Sequence, residues 1–167
     1  MRSREDQEQD HHGSPPTRQP LKPLDTNGSI QTLLVIAERD ARRRLDLRRA
    51  LASEPGLQVG AQAGDARTLS ALVRRHRPDV ALLGATLPRD HVLPAIREIH
   101  AEDPETGIVA LVEEPDEEAD RRVLLAGAAA ALPSGTPLEE LAAALRMVAA
   151  GGAAVTQAQT KALLLEF

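Results

Sequence analysis

The chain contains no cysteine, no tryptophan and no tyrosine, and its single phenylalanine is Phe167. Without cysteine there are no disulfides and no thiolate metal sites, a usage that suits a reducing cytoplasm. With aromatics at 1% of residues, the core is left to Leu, Val, Ile and an unusual amount of Ala. Such a core allows helices to lie close on a sheet, but it buries little side-chain area per residue, so modest stability is expected. No apolar run approaches the roughly 20 residues of a membrane span, and the first residues lack a signal-peptide core. A basic surplus is also missing. The formal net charge is -5, which argues against a nucleic-acid-binding surface, because phosphate recognition needs a positive footprint. The expectation is a cytoplasmic, soluble protein with no membrane partner and no direct nucleic-acid partner.

With 167 residues, 42% of them hydrophobic, the chain suits one domain plus a modest extension. Residues 1–29 are polar, proline-rich and without periodicity, as in a disordered leader. The adjacent His11 and His12 have no further metal ligands near them. From residue 30 to 152 the pattern is regular. Continuous apolar runs predict buried strands at 32–37, 80–83 and 107–112, with a half-polar strand at 57–63 and a short one at 129–132. Helical stretches follow each: 39–56, with Ala41, Leu45, Leu47, Ala50 and Leu51 as its apolar side; 66–77 after Asp65 as N-cap; 92–100; 117–127; and one from Pro137 at its first position. Five repeats of strand then helix predict an α/β fold, a doubly wound five-stranded parallel sheet. Residues 153–167 form an extra C-terminal helix with Thr156 as N-cap. Leu163, Leu164, Leu165 and Phe167 give it more apolar positions than one helix face holds.

The segment ALLGATLP, residues 81–88, ends a buried strand on a glycine. The carboxyl ends of strands are where open α/β sheets bind ligands, and glycine brings no side chain to that ground. With RPDVALLGATLP at its third strand and GAAAALPSGTPLEELAAALRMVAAGG at its end, residues 32–167 resemble the receiver domains of two-component response regulators. The likeness is to the NarL/FixJ type, whose receivers are followed by a linker helix and a LuxR-type helix-turn-helix. It implies a flavodoxin-like (βα)5 receiver fold with a C-terminal linker helix, here without the helix-turn-helix. It also implies a site: an acidic pair that binds Mg2+, a phosphoacceptor Asp, a switch Ser or Thr, and a Lys. Those positions fall on Ala37 and Glu38, on Gly84, on Val112 and on Ser134, and the aromatic switch position falls on Ala131. Only Glu38 keeps the expected chemistry, so the resemblance is to a degenerate, or pseudo-, receiver.

Glu38 and Asp40 are weak candidates for holding a cation, Asp40 being otherwise the cap of the first helix. Asp90 and His91 lie in the loop after Pro88, away from the strand end. No catalytic triad, phosphate-cradling glycine loop or metal motif is visible, so no enzyme activity and no cofactor are expected. His76 and His100 lie near helix C-termini, where a cationic side chain suits the dipole. Arginines crowd residues 42–49 and carboxylates residues 113–120, as solvated helix faces or docking faces. The leading expectation is a phosphorylation-independent receiver that modulates transcription through protein-protein interaction. Its partner would be an intact response regulator or a second copy in a homodimer, met through Leu163, Leu164, Leu165 and Phe167. The alternative is a small-molecule-binding module using the rim of Gly84, Ala85, Val112 and Ser134.

Overall fold

The computed structural model describes residues 24, 28, 30–114, 116–154 and 157–165. Five strands alternate with five helices: β1 Thr32–Ala37, α1 Ala41–Ser53, β2 Leu57–Ala63, α2 Ala66–His76, β3 Val80–Leu83, α3 Arg89–Glu102, β4 Gly107–Val112, α4 Glu117–Ala126, β5 Ala130–Pro133 and α5 Leu138–Ala149. A sixth helix, α6, spans Gln157–Leu164. All strand pairs are parallel and the sheet order is β2-β1-β3-β4-β5. This is the doubly wound, flavodoxin-like order expected from strand-helix repeats joined by right-handed crossovers.

Side chains alternate across each strand, so each strand feeds two cores. Val35, Ala37, Ala81 and Leu83 face α2, α3 and α4, where they meet Leu69, Val73, Ile96, Ile99 and Val123. Leu34, Ile36, Val80 and Leu82 face α1 and α5, against Leu51, Leu141, Leu145 and Val148. Alanine occupies fully buried places on both sides, Ala37, Ala81, Ala130, Ala131 and Ala142 among them, as the scarcity of aromatics requires. Three helix starts carry carboxylate caps, Asp40 on α1, Asp65 on α2 and Asp116 on α4. The Asp40 side chain accepts from the Arg43 amide at 2.8 Å, and the Asp65 side chain from the Thr68 amide at 2.7 Å.

Several sequence expectations need correction. The row of α1 that turns to the sheet is Arg44, Leu47 and Leu51, whereas Ala41 and Leu45 are exposed. Positions 44, 47 and 51 follow the i, i+3, i+7 spacing of one helix face, and Arg44 occupies its first place. Helix α3 begins three residues before the expected start, at Arg89, and runs through Pro94. The proline is exposed, so the carbonyl it leaves without an amide is on the solvent side. Pro137 is the cap of α5 rather than its first residue, and β5 lies one residue later than expected. Of the leader 1–29, Leu24 bridges antiparallel to Ile30; His11 and His12 lie outside the described residues, as does Thr156. Among the described residues no helix is long and apolar enough to cross a membrane.

Candidate functional site

The sheet order reverses between β1 and β3, and the crevice above that reversal is bounded by the carboxyl ends of β1, β3 and β4. The strand ladder continues one residue beyond the strands. Glu38 donates its amide to the Ala63 carbonyl at 3.0 Å, Gly84 to Ala37 at 2.7 Å, and Ser134 to Val112 at 2.7 Å. Backbone pairing therefore places Glu38 directly beside Gly84.

Glu38 is only 3% exposed, and its side chain lies over the Gly84 α-carbon. A β-carbon added to Gly84 would stand 2.6 Å from the Glu38 carboxyl carbon and 2.9 Å from its Cβ. The backbone of Gly84 is not among the positive-φ glycines, so the missing side chain matters here for space rather than for conformation. Glu38 Oε1 accepts from the Asp40 amide at 3.3 Å, which also reaches Thr86 Oγ1 at 3.2 Å. Arg44 fixes the backbone below by donating to the Glu38 carbonyl at 2.7 Å. Above the crevice, Arg43 forms an ion pair with Glu113 that ties the start of α1 to the end of β4. Glu113 raises the already high pKa of the Arg43 guanidinium, chiefly through this hydrogen bond.

Glu38 and Asp40 do not converge on a metal. Asp40 caps α1, Glu38 turns towards Gly84, and among the described residues no group of three or more His, Asp or Glu side chains is placed to hold an ion. Of the four rim positions, Ser134 parts from Gly84 and Val112. Gly84, Ala85 and Val112 line a cavity of about 140 Å3 that extends between α3 and α4, past Leu87, Val92 and Val123. Ser134 lines a different cleft, on the α1 side, together with Glu38 and with Ala85, which borders both openings. Asp90 and His91 are exposed on the first turn of α3, 3.8 Å apart.

No family model matches the chain. It is 33% identical to the response regulator GacA of Pseudomonas aeruginosa over 119 residues, 71% of this chain and 55% of the relative. With the transcriptional regulatory protein DegU of Brevibacillus brevis it shares 30% over 124 residues, 74% of this chain and 52% of the relative. The chain thus spans about half the length of these curated relatives. Among solved structures, the signal receiver domain of the putative response regulator NarL from Mycobacterium tuberculosis superposes with a TM-score of 0.68 at 22% identity, over 72% of this chain and 98% of that one. A LuxR-family two-component response regulator from Aurantimonas sp. gives 0.71 at 24%, over 81% and 97%. The chain carries a response-regulator receiver domain of the NarL/LuxR type.

In this receiver domain two features of the rim escape sequence reasoning. Arg43 and Arg44 read as part of a solvated basic helix face, yet one spans the crevice and the other fixes the Glu38 backbone. The available signal was position: they stand on the first turn of the helix that follows β1. Gln159 is the second. It lies on α6, is 6% exposed, and its Nε2 donates to Asp120 Oδ2 at 2.7 Å and to the Ala131 carbonyl at 3.0 Å. Helix α6 therefore packs on α4 and reaches β5 at the aromatic switch position. The terminal apolar cluster splits as its spacing requires: Leu163 is half-buried, while Leu164 and Leu165 are 69% and 80% exposed. Phe167 lies outside the described residues.

Proposed function

We propose that this receiver domain works in two-component signalling without being phosphorylated, as a protein-interaction module that modulates transcription. The observation that carries the reading is the seat of Glu38 over Gly84. A phosphoryl acceptor at the end of β3 needs a nucleophilic side chain and room for the entering group, and transfer depends on positioning plus compensation of phosphate charge. Gly84 brings no nucleophile, and the space where a side chain would begin is filled by a carboxylate that repels phosphate. Val112 brings no hydroxyl to the switch position and Ser134 no ammonium group to the lysine position. The rim is thus held in one arrangement by the Glu38, Arg43 and Arg44 contacts.

On this reading the domain is a cytoplasmic binding module rather than an enzyme and uses no cofactor. Its partner is an intact response regulator or a second copy, met through a surface that includes Leu164 and Leu165. The net charge of -5 on the whole chain opposes direct DNA binding. Incubation with acetyl phosphate and Mg2+, followed by intact and peptide mass spectrometry, tests the first part. No adduct is expected on residues 84–91, and an adduct on Asp90 or His91 overturns the reading. The second reading, a small-molecule site, is favoured by the cavity beside Gly84, Ala85 and Val112. Its walls are mostly apolar and its volume is close to that of cavities that hold a benzene-sized ligand. Saturable chemical-shift changes confined to Val92, Val112 and Val123 on titration with small aromatic compounds would select it.

A further inference from the structure

The chain that leaves α5 returns along the β5 edge of the sheet. After the turn at Gly151, where φ is 87°, the Ala154 amide donates to the Ala129 carbonyl at 3.0 Å, and Ala154 bridges parallel to Ala130. Helix α6 then packs on α4. Among its described side chains Gln159 is buried and Leu163 half-buried, four residues apart and so on one helix face, whereas Thr160, Leu164 and Leu165 are exposed. Gln159 Nε2 carries two hydrogens, and both are committed, one to Asp120 Oδ2 at 2.7 Å and one to the Ala131 carbonyl at 3.0 Å. Three acceptors meet there, however. Asp120 Oδ1 is buried and has no hydrogen-bond partner among the described residues. Nor does a cation pair with Asp120 among them, and the neighbouring Arg121 and Arg122 are hydrogen-bonded to Glu118 at 2.7 and 3.0 Å. A neutral amide with two donors therefore strands one oxygen of a carboxylate under α6, a costly omission for a charged group.

We propose that α6 is a replaceable occupant of a docking seat on α4 and β5, and that the seat fits a partner helix with an arginine in the place of Gln159 and a leucine four residues later. A guanidinium has five N–H donors in a planar fork, so it reaches both Asp120 oxygens and still donates to the Ala131 carbonyl. It also brings the charge that Asp120 lacks. The first turn of α4 adds Glu117 and Glu118 beside Asp120, a local field that draws a cationic segment. A second copy of this chain offers the same Gln159 and gains nothing by exchange, so the occupant is a different protein. The inference rests on the protein-interaction reading but fails separately from it: loss of the arginine preference leaves the acetyl phosphate result, and capture of a partner through Leu164 and Leu165, untouched.

A labelled peptide of residues 153–167, with and without Gln159→Arg, tests the seat in trans. The acceptor is the full chain carrying Gln159→Ala, which loosens its own α6 while keeping Asp120 and β5, and binding is read by fluorescence anisotropy. The arginine peptide is expected to bind on the order of tenfold more tightly than the native one, as one added charge-assisted pair implies. Its binding should speed amide exchange in the chain's own residues 157–164, the sign of displacement. Adding Asp120→Asn to the chain should erase the preference. In the otherwise native chain, Gln159→Arg should raise Tm on the order of 3 °C and abolish binding of either peptide. Equal affinities, no binding of either peptide, a preference that survives Asp120→Asn, binding without faster exchange of residues 157–164, or a lower Tm for Gln159→Arg overturns the proposal.

Discussion

Substitution of Gly84 by alanine isolates the one contact on which the functional reading rests. Because Gly84 is not in the left-handed region, alanine is allowed by the backbone. Placed in open space it would stabilise the domain by about 0.4–1 kcal/mol through the unfolded chain. Here the new methyl carbon meets the carboxyl carbon of Glu38 at 2.6 Å and its Cβ at 2.9 Å. Swinging the carboxylate aside relieves the first contact but not the second, since the Cβ is fixed by the backbone that Arg44 and Ala63 hold. Overpacking of this kind costs about 1–3 kcal/mol, and losing the Asp40 hydrogen bond about 1 kcal/mol more. Gly84→Ala is therefore expected to destabilise by roughly 1–3 kcal/mol, a fall in Tm of about 2–4 °C per kcal/mol for a chain of this size. In a Glu38→Ala background the same substitution should be neutral or stabilising. Urea unfolding of the four proteins of the cycle gives the coupling, expected near 2 kcal/mol. If Gly84→Ala stabilises the otherwise native chain, or if the coupling lies within about 0.5 kcal/mol of zero, Glu38 does not occupy the acceptor's place.

Gln159→Leu strands the Ala131 carbonyl and an Asp120 oxygen in a buried position, so a loss of about 1–3 kcal/mol is expected. Hydrogen exchange should show it as faster opening of α6 and α4 with β1 and β3 unaffected, and uniform exchange changes would mean that α6 is not docked through this residue. Amide and hydroxyl donation from Thr68 hold the Asp65 carboxyl below its ordinary range. The stabilisation from this cap is complete above the unfolded value near pH 4 and lost as pH falls through the folded value. Asp65→Ala should cost about 1 kcal/mol at neutral pH and less in acid, whereas Asp65→Asn keeps the cap and flattens that pH dependence. Urea unfolding at pH 7 and pH 3 checks both, and an Asp65→Ala deficit that grows in acid contradicts the sign.

The sequence alone determined the layering. Strands β1, β3 and β4 fall on the residues their apolar runs predict, because a strand buried on both faces has no polar positions to blur its ends, and the half-polar β2 also falls on its expected residues. It also determined that glycine follows β3, and that valine and serine stand at the other two rim positions. Helix detail was less legible. The run of arginines on α1 hides which row faces the sheet, because a long cationic side chain can pack its stem inward and still reach a carbonyl, as Arg44 does. Only the tertiary structure decided that Glu38 sits over Gly84, that Arg43 crosses to Glu113, and that Gln159 brings α6 back onto α4 and β5. These contacts join residues 46, 70, 39 and 28 positions apart, and no local pattern encodes such separations. They follow from parallel strands whose carboxyl ends meet at one rim, which brings distant side chains into a space where only one can fit.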